Sequence, residues 1–246
     1  MKIAIMQPYF LPYIGYWQLI QSVDRFIIYD DVNYIKGGWI NRNRILINGN
    51  PTFITLPLNK TSSYKRICDI TIQPRSIWRD KLVKMIELTY RKSPYFFEIF
   101  PIIEKVISYK AESLSDYLAF QIKTLALFMG IKTELVMTSR LYENSCLSGQ
   151  DRIIDLCKIE GANMYVNPQG GQTLYNSDIF NCSGIDLKFI IMRSLPYKQP
   201  GEVFFPSLSI IDVLMANGPI EIKYYLSAFD LVNSNAPVLD NLNGNK

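Results

Sequence analysis

Lys2-Ile-Ala-Ile-Met6, Gln7-Pro-Tyr-Phe-Leu-Pro12, Tyr13-Ile-Gly-Tyr-Trp-Gln-Leu-Ile20 and Phe26-Ile-Ile-Tyr29 follow one another at the start of the chain. The first is a short apolar run halted by Gln7-Pro8, the pattern of a buried strand. After Pro12, apolar residues recur at helical spacing, and a proline with its fixed φ suits the first turn of a helix. Phe26 to Tyr29 is a second buried run, ending at Asp30-Asp31. Strand, helix and strand this close together make a β-α-β unit, whose strands are parallel and joined by a right-handed crossover.

Working outward, Trp39 to Ile47 and Thr52 to Leu58 flank Asn48-Gly49-Asn50, a hairpin signal, and Ile67 to Ile72 reads as another short strand. From Ser76 to Gly130 the period becomes helical. One helix is expected from Ser76 to about Tyr90, a second from Ser93-Pro94, and a third capped by Ser113 or Ser115 and ending at Gly130. Strands are then expected at Glu134–Met137, Asn163–Val166 and Leu187–Ile191. Helices are expected at Gln150–Glu160, Ser207–Ala216 and Pro219–Leu226, with a polar, frayed tail beyond Leu231. The fold class is α/β: a parallel sheet started by the β-α-β unit, an antiparallel hairpin insertion and a helical layer. Residues 1–75 hold the unit and hairpin, 76–130 the helical layer, 131–231 a second α/β part completing the same domain, and 232–246 the tail.

Composition sets the limits of function. Of 246 residues, 48% are apolar and 20% charged, enough for a folded core and against disorder. The net charge of +4 is mild, and with no Lys/Arg run it reads as evenly spread, which suits an anionic small molecule rather than nucleic acid. The four cysteines lack a C-x-x-C pair and read as reduced structural thiols. No secretion signal or membrane-spanning run is visible, so a cytoplasmic location is expected. With no histidine at all, Ser-His-Asp and Cys-His activation and every histidine-containing metal site are excluded. No protein-bound metal is expected, and the sequence names no cofactor. A homodimer is compatible with the chain.

Candidate site residues fall into four groups. The turn after the first strand supplies Gln7, Tyr9, Gly15 and Tyr16, at the sheet edge where open α/β folds bind ligands. Gly15 would admit a ligand or a neighbouring strand to its backbone. Asp30 and Asp31 end the second strand, one to cap a turn and the other to face the cleft as a base, with Tyr34 and Lys36 beyond them. In Trp39-Ile-Asn-Arg-Asn-Arg44, Arg42 and Arg44 share one strand face and Asn41 and Asn43 the other; paired guanidiniums suit a diphosphate, and Trp39 suits a stacked ring. Asn167, Gln169 and Gly170 lie in a later glycine-containing loop. Together they predict one cleft, with Asp30/Asp31 facing Arg42/Arg44.

Gln7-Pro8, Tyr9, Pro12, Gly15-Tyr16, Asp24, Asp30-Asp31, Tyr34, Trp39 and Arg42-Asn43-Arg44 resemble the opening signature of the WbqC-like proteins. Tyr90, Pro94-Tyr95-Phe96, Gly161-Ala162, Tyr165, Tyr197, Ser209-Ile-Ile-Asp212 and Gly218-Pro219 extend the likeness to about Leu226. Asn167-Pro168 stands where the family is expected to carry Ser-Gly. The resemblance implies a bacterial enzyme of O-antigen or capsule biosynthesis that acylates amino sugars, including with glycyl-type groups. It implies a nucleotide-linked sugar as substrate. An ATP-dependent ligase or nucleotidyltransferase, and a non-catalytic binding protein of the same pathway, remain alternatives.

Overall fold

The computed structural model describes residues 1–74, 77–193, 195–199 and 203–233. In chain order its elements are β1 (Lys2–Met6), α1 (Ile14–Gln21), β2 (Arg25–Ile28), β3 (Arg42–Ile47), β4 (Asn50–Thr55), α2 (Ile77–Tyr90), α3 (Phe96–Ser108), α4 (Leu114–Phe128), β5 (Glu134–Val136), α5 (Gly149–Ile159), β6 (Met164–Pro168), α6 (Ser177–Cys182), β7 (Asp186–Met192), α7 (Ile210–Leu226) and β8 (Phe229–Asn233). The central sheet runs β5-β2-β1-β6-β7-β8, parallel except for β8, and the hairpin β3-β4 forms a separate antiparallel pair. Counted along the chain, the sheet's strands stand third, second, first, fourth, fifth, sixth, the order of doubly wound nucleotide-binding folds.

Two apolar cores lie on the two faces of this sheet. Residues of α1, α2, α3, α4 and α7 pack with the hairpin on one side. Ile153, Ile154, Leu156 and Cys157 of α5 and Phe180 of α6 pack on the other. Ile3 and Ile5 belong to the second core and Ala4 to the first, the alternation a buried central strand requires. In the hairpin, Asn48 and Gly49 both take positive φ (50° and 76°), a two-residue turn whose twist matches that of the strands.

The structure departs from sequence expectation in particular places. Ile67–Ile72 is no strand. A 3-10 turn spans Ile67–Asp69, and the segment's N–H groups go to scattered acceptors: Ile67 to Val32 O, Cys68 to Asp30 O and Ile72 to Glu112 O, each at 2.9 Å. The second helix starts at Phe96, after a turn closed by Ser93 N–H to Tyr90 O. Ser113 is the cap of α4, its Oγ accepting from Asp116 N at 3.2 Å. The chain after Leu226 also forms β8, whose Leu231 and Val232 register with Ile190 and Phe189 of β7; α6 carried no recognised signal either. The tail expected from 232 onward is corrected at Val232 and Asn233, which belong to β8; the rest of it and the expected helix start at Ser76 lie outside the described residues.

The expected pair of late helices is found within α7, which consists of two helices separated by a kink at Gly218 (φ 68°, ψ −177°) before Pro219. A Cβ at Gly218 would lie 2.4 Å from Cε1 of Tyr95. Gly218→Ala therefore meets both a left-handed backbone and a ring held by packing. It should cost about 2–3 kcal/mol, the order of such strain, measured by urea unfolding; a loss near zero would show that neither the backbone at 218 nor Tyr95 resists the added methyl.

Candidate functional site

The sheet order puts a switch point between β1 and β6. The connection after β1 leads to α1 on one face, whereas that after β6 leads to α6 on the other. In open doubly wound sheets ligands bind where two such loops diverge, outside the strands' C-terminal ends. Lys2 pairs with Met164 and Ile3 with Tyr165, and continuing that register brings Gln7 level with Gln169. Gln7 and the Asn167–Gly170 segment lie at the C-terminal ends of these neighbouring strands, with Asn167 buried and Gly170 exposed. Nδ2 of Asn167 fills the space where a Cβ on Gly171 would stand, 2.1 Å away.

The loop after β1, Tyr9 to Pro12, is clamped by buried polar side chains. Asn43 Nδ2 donates to the carbonyls of Phe10 (3.0 Å) and Leu11 (2.8 Å). Gln121 accepts from Leu11 N–H and donates to Tyr9 O, both at 3.0 Å, while Ser209 Oγ donates to Leu11 O at 2.8 Å. Tyr16 is fully enclosed and donates to Gln7 O at 3.0 Å. Burial pushes the Tyr16 hydroxyl well above its usual range. Gly15 serves packing: a Cβ there would lie 2.5 Å from both Met192 Sδ and the Tyr13 ring. Of its two expected uses, the close approach of a strand end is the one realised.

At the end of β2, Asp30 and Asp31 anchor a buried polar network. Asp30 is 0% exposed and accepts from Ser115 Oγ (2.5 Å), Thr138 Oγ1 (2.8 Å) and Ser139 N–H (3.0 Å), with Arg140 Nε at 3.3 Å. Asp31 accepts from Ser139 Oγ and from Arg152 Nη2 at 2.6 Å. Arg152, 3% exposed, also donates to Asn144 Oδ1 at 3.0 Å and lies over the Tyr29 ring, 4.9 Å from its centroid. Desolvation raises the Tyr29 hydroxyl pKa despite the opposing pull of Arg152. A cavity of about 470 Å³ opens on the far flank, lined by Cys68, Asp69, Tyr109, Lys110, Glu112 and Asp116. Burial, with Asp69 adjacent, pushes the Cys68 thiol up to about 11, so it is protonated at neutral pH and a poor nucleophile.

The expected confrontation of Asp30/Asp31 with Arg42/Arg44 is not found. Arg42 donates to the carbonyls of Gly37 and Gly38 and sits over Phe53, and Arg44 sits over Trp39. The alternation of half-buried Arg42 and Arg44 with buried Asn43 follows the strand period, and the contacts of the two arginines are with the hairpin's own rings and the loop before it. Asn41 is occupied by Tyr34 (2.7 Å) and Leu56 O (3.0 Å), joining β3 to the loop before it and to β4; Lys36 is exposed. The aspartates' cations, Arg140 and Arg152, stand more than a hundred residues later, and no local signal marks them.

The sequence matches the WbqC-like protein family over residues 7–224. It belongs to that family. The uncharacterized protein Rv1507c of Mycobacterium tuberculosis is 27% identical over 229 residues, covering 91% of this chain and 98% of the other. No solved structure matches the chain. No helix among the described residues is long and apolar enough to cross a membrane.

A second polar cluster in this WbqC-like chain centres on Asp212, 3% exposed in the first turn of α7. It accepts from Tyr90 (2.8 Å), Tyr197 (2.7 Å) and Gln199 (3.2 Å), with no ion pair to a cation among the described residues. Desolvation raises its pKa, outweighing the three hydrogen bonds.

Two measurements follow from these clusters. Arg152→Leu leaves Asp31 buried without its cation and should cost about 3–5 kcal/mol in denaturant unfolding; a cost under about 1 kcal/mol would mean that water reaches the pair. Asp212 binds its proton more tightly folded than unfolded. Its contribution therefore grows as pH falls from above the folded pKa towards the unfolded value of about 4 and is complete below it. Wild type should gain stability relative to Asp212→Asn across that interval, and parallel pH profiles would contradict the raised pKa.

Proposed function

We propose that this WbqC-like protein is a transferase of surface-polysaccharide biosynthesis that places an acyl or aminoacyl group on the amine of a nucleotide-activated amino sugar. The observation that carries the reading is the switch point between β1 and β6 in the strand order, with the buried Asp31–Arg152 pair after β2. Nucleotide ligands of doubly wound sheets occupy that position. Family membership supports the pathway.

In this reading the two aspartates have different work. The lone pairs of Asp30 are taken up by its surrounding donors, so it holds the loop of Ser139 against β2. Asp31 has two partners and a slight opening to solvent, 7% exposed, which leaves it capacity for one more donor. Its task is to orient the substrate ammonium and take its proton, freeing the nitrogen lone pair to attack the acyl carbonyl. The carbonyl oxygen gathers charge as the amine attacks and gives it back as the bond to the donor's leaving group breaks, and the side-chain amide of Gln7 is the donor proposed to face it. Asn144, through Arg152, positions Asp31.

The test incubates purified protein with nucleotide-linked amino sugars and acyl or aminoacyl donors, following product mass. The expected result is addition of one acyl group. Asp31→Asn should cut kcat by about 10²–10⁴-fold, the scale of a lost general base, and do so at temperatures where circular dichroism shows it folded. No mass change with any donor, or full turnover in Asp31→Asn, overturns the proposal. The strand order equally suits a nucleotidyltransferase, which would instead release pyrophosphate from a nucleoside triphosphate.

A further inference from the structure

From Val32 to Cys68 the chain contains six basic residues and no acidic one. Since the whole chain has 26 basic and 22 acidic residues, everything outside this segment is net negative, 20 against 22. The positive balance is therefore not spread evenly, as the absence of a basic run suggested. It is concentrated on the hairpin β3-β4 and its flanking loops.

The same surface carries large exposed apolar side chains. Ile35 is 53% exposed, Trp39 37%, Phe53 50% and Tyr64 92%. Their contacts make them one patch. Trp39 and Phe53 stack at 6.3 Å, Arg42 lies 4.5 Å over Phe53 and Arg44 5.6 Å over Trp39. Ile35 abuts Gly38, whose added Cβ would be 3.3 Å from it, and Tyr34 N–H donates to Lys65 O at 2.8 Å, placing the Tyr64-Lys65 segment alongside. Lys36, Arg42, Arg44 and Lys65 make no ion pair among the described residues.

We infer that this hairpin face docks on an anionic lipid surface. Aromatic and aliphatic side chains beside unpaired cations are what the headgroup boundary of a charged bilayer accepts: rings enter the interface and cations meet phosphates. Single-stranded nucleic acid also favours basic, aromatic surfaces, but it needs free ring faces for bases to stack on. Here a guanidinium already lies over both Trp39 and Phe53 and these two rings stack on one another, which leaves Tyr64 as the single open ring, and Ile35 offers a base nothing. The buried hydrogen bonds of Asn43 to Phe10 O and Leu11 O fix the hairpin to the body, so docking would orient the whole molecule.

The experiment is sedimentation of the full chain with vesicles of phosphatidylcholine, with and without phosphatidylglycerol, read together with tryptophan emission. Trp17 is fully buried, so a blue shift that disappears in Trp39→Phe reports insertion of Trp39. The expected result is binding to anionic vesicles that salt weakens. It should fall about five-fold for each of Lys36→Gln and Lys65→Gln, and about twenty-five-fold for both, since each cation near a charged leaflet is worth about 1 kcal/mol. Phe53→Ser should reduce it further. All these side chains are exposed, so unchanged thermal unfolding will show that the variants fold. Equal binding to neutral vesicles, no binding to either, undiminished binding by the lysine variants, or binding to poly(U) in place of vesicles overturns the inference.

Discussion

Two adjacent carboxylates buried at the end of a parallel strand impose most of the conditions this structure meets. Asp30 and Asp31 leave β2 in opposite directions, as consecutive residues of an extended chain must, and both remain shielded from water. Burying ionisable acids is tolerable only with donors on every side. Those donors come from α4 (Ser115), the turn after β5 (Thr138, Ser139, Arg140) and α5 (Arg152). The helices on the two faces of the sheet are therefore tied to the same two residues. Ser139 joins the halves, accepting from Asp30 N–H while its hydroxyl is bound to Asp31. This requirement fixes the position of α5 relative to β2, and with it one side of the switch point.

The opposite side is settled by backbone rather than charge. The Tyr9–Pro12 loop has irregular conformation, with Leu11 at φ 44°, and its carbonyls would be costly to bury unpaired. Asn43, Gln121 and Ser209 supply the missing partners from β3, α4 and the start of α7. The family signature thus contains two kinds of residue. Gln7 stands at the C-terminal end of β1, whereas Tyr9, Gly15, Tyr16 and Asn43 hold the loop that follows it.

Much of the fold was legible because local chemistry agreed with tertiary structure. The β-α-β start, the Asn48-Gly49 turn, the Ser113 cap and the alternation of Arg42 and Arg44 with Asn43 all rest on rules acting within a few residues. Ile67–Ile72 was misread because its strand-like composition serves separate partners one N–H at a time. β8 was missed because Phe229 to Asn233 is short and half polar, and its identity depends on β7 being there to pair with. The site was legible only in part. Asp30-Asp31 announces buried chemistry, but Arg140 and Arg152 reach it through the fold, and the orientation of the hairpin's outer face is decided by which side of β3 carries Asn43 and Ile45 into the core.

The pairing of β1 with β6 has a consequence for how the molecule comes into being. Lys2 and Ile3 register with Met164 and Tyr165, so the middle of the sheet joins segments separated by more than half the chain. During synthesis β1 and β2 can associate early, yet one edge of β1 stays open until β6 has been made. Ile3, Ala4 and Ile5 are meanwhile an unpaired apolar edge of the kind that invites association with other chains. Closure of such distant contacts is slow because its entropic cost precedes its reward. For this chain the vulnerable interval is the time the ribosome takes to travel from β2 to the end of β6, and its yield in cells depends on what protects that edge meanwhile.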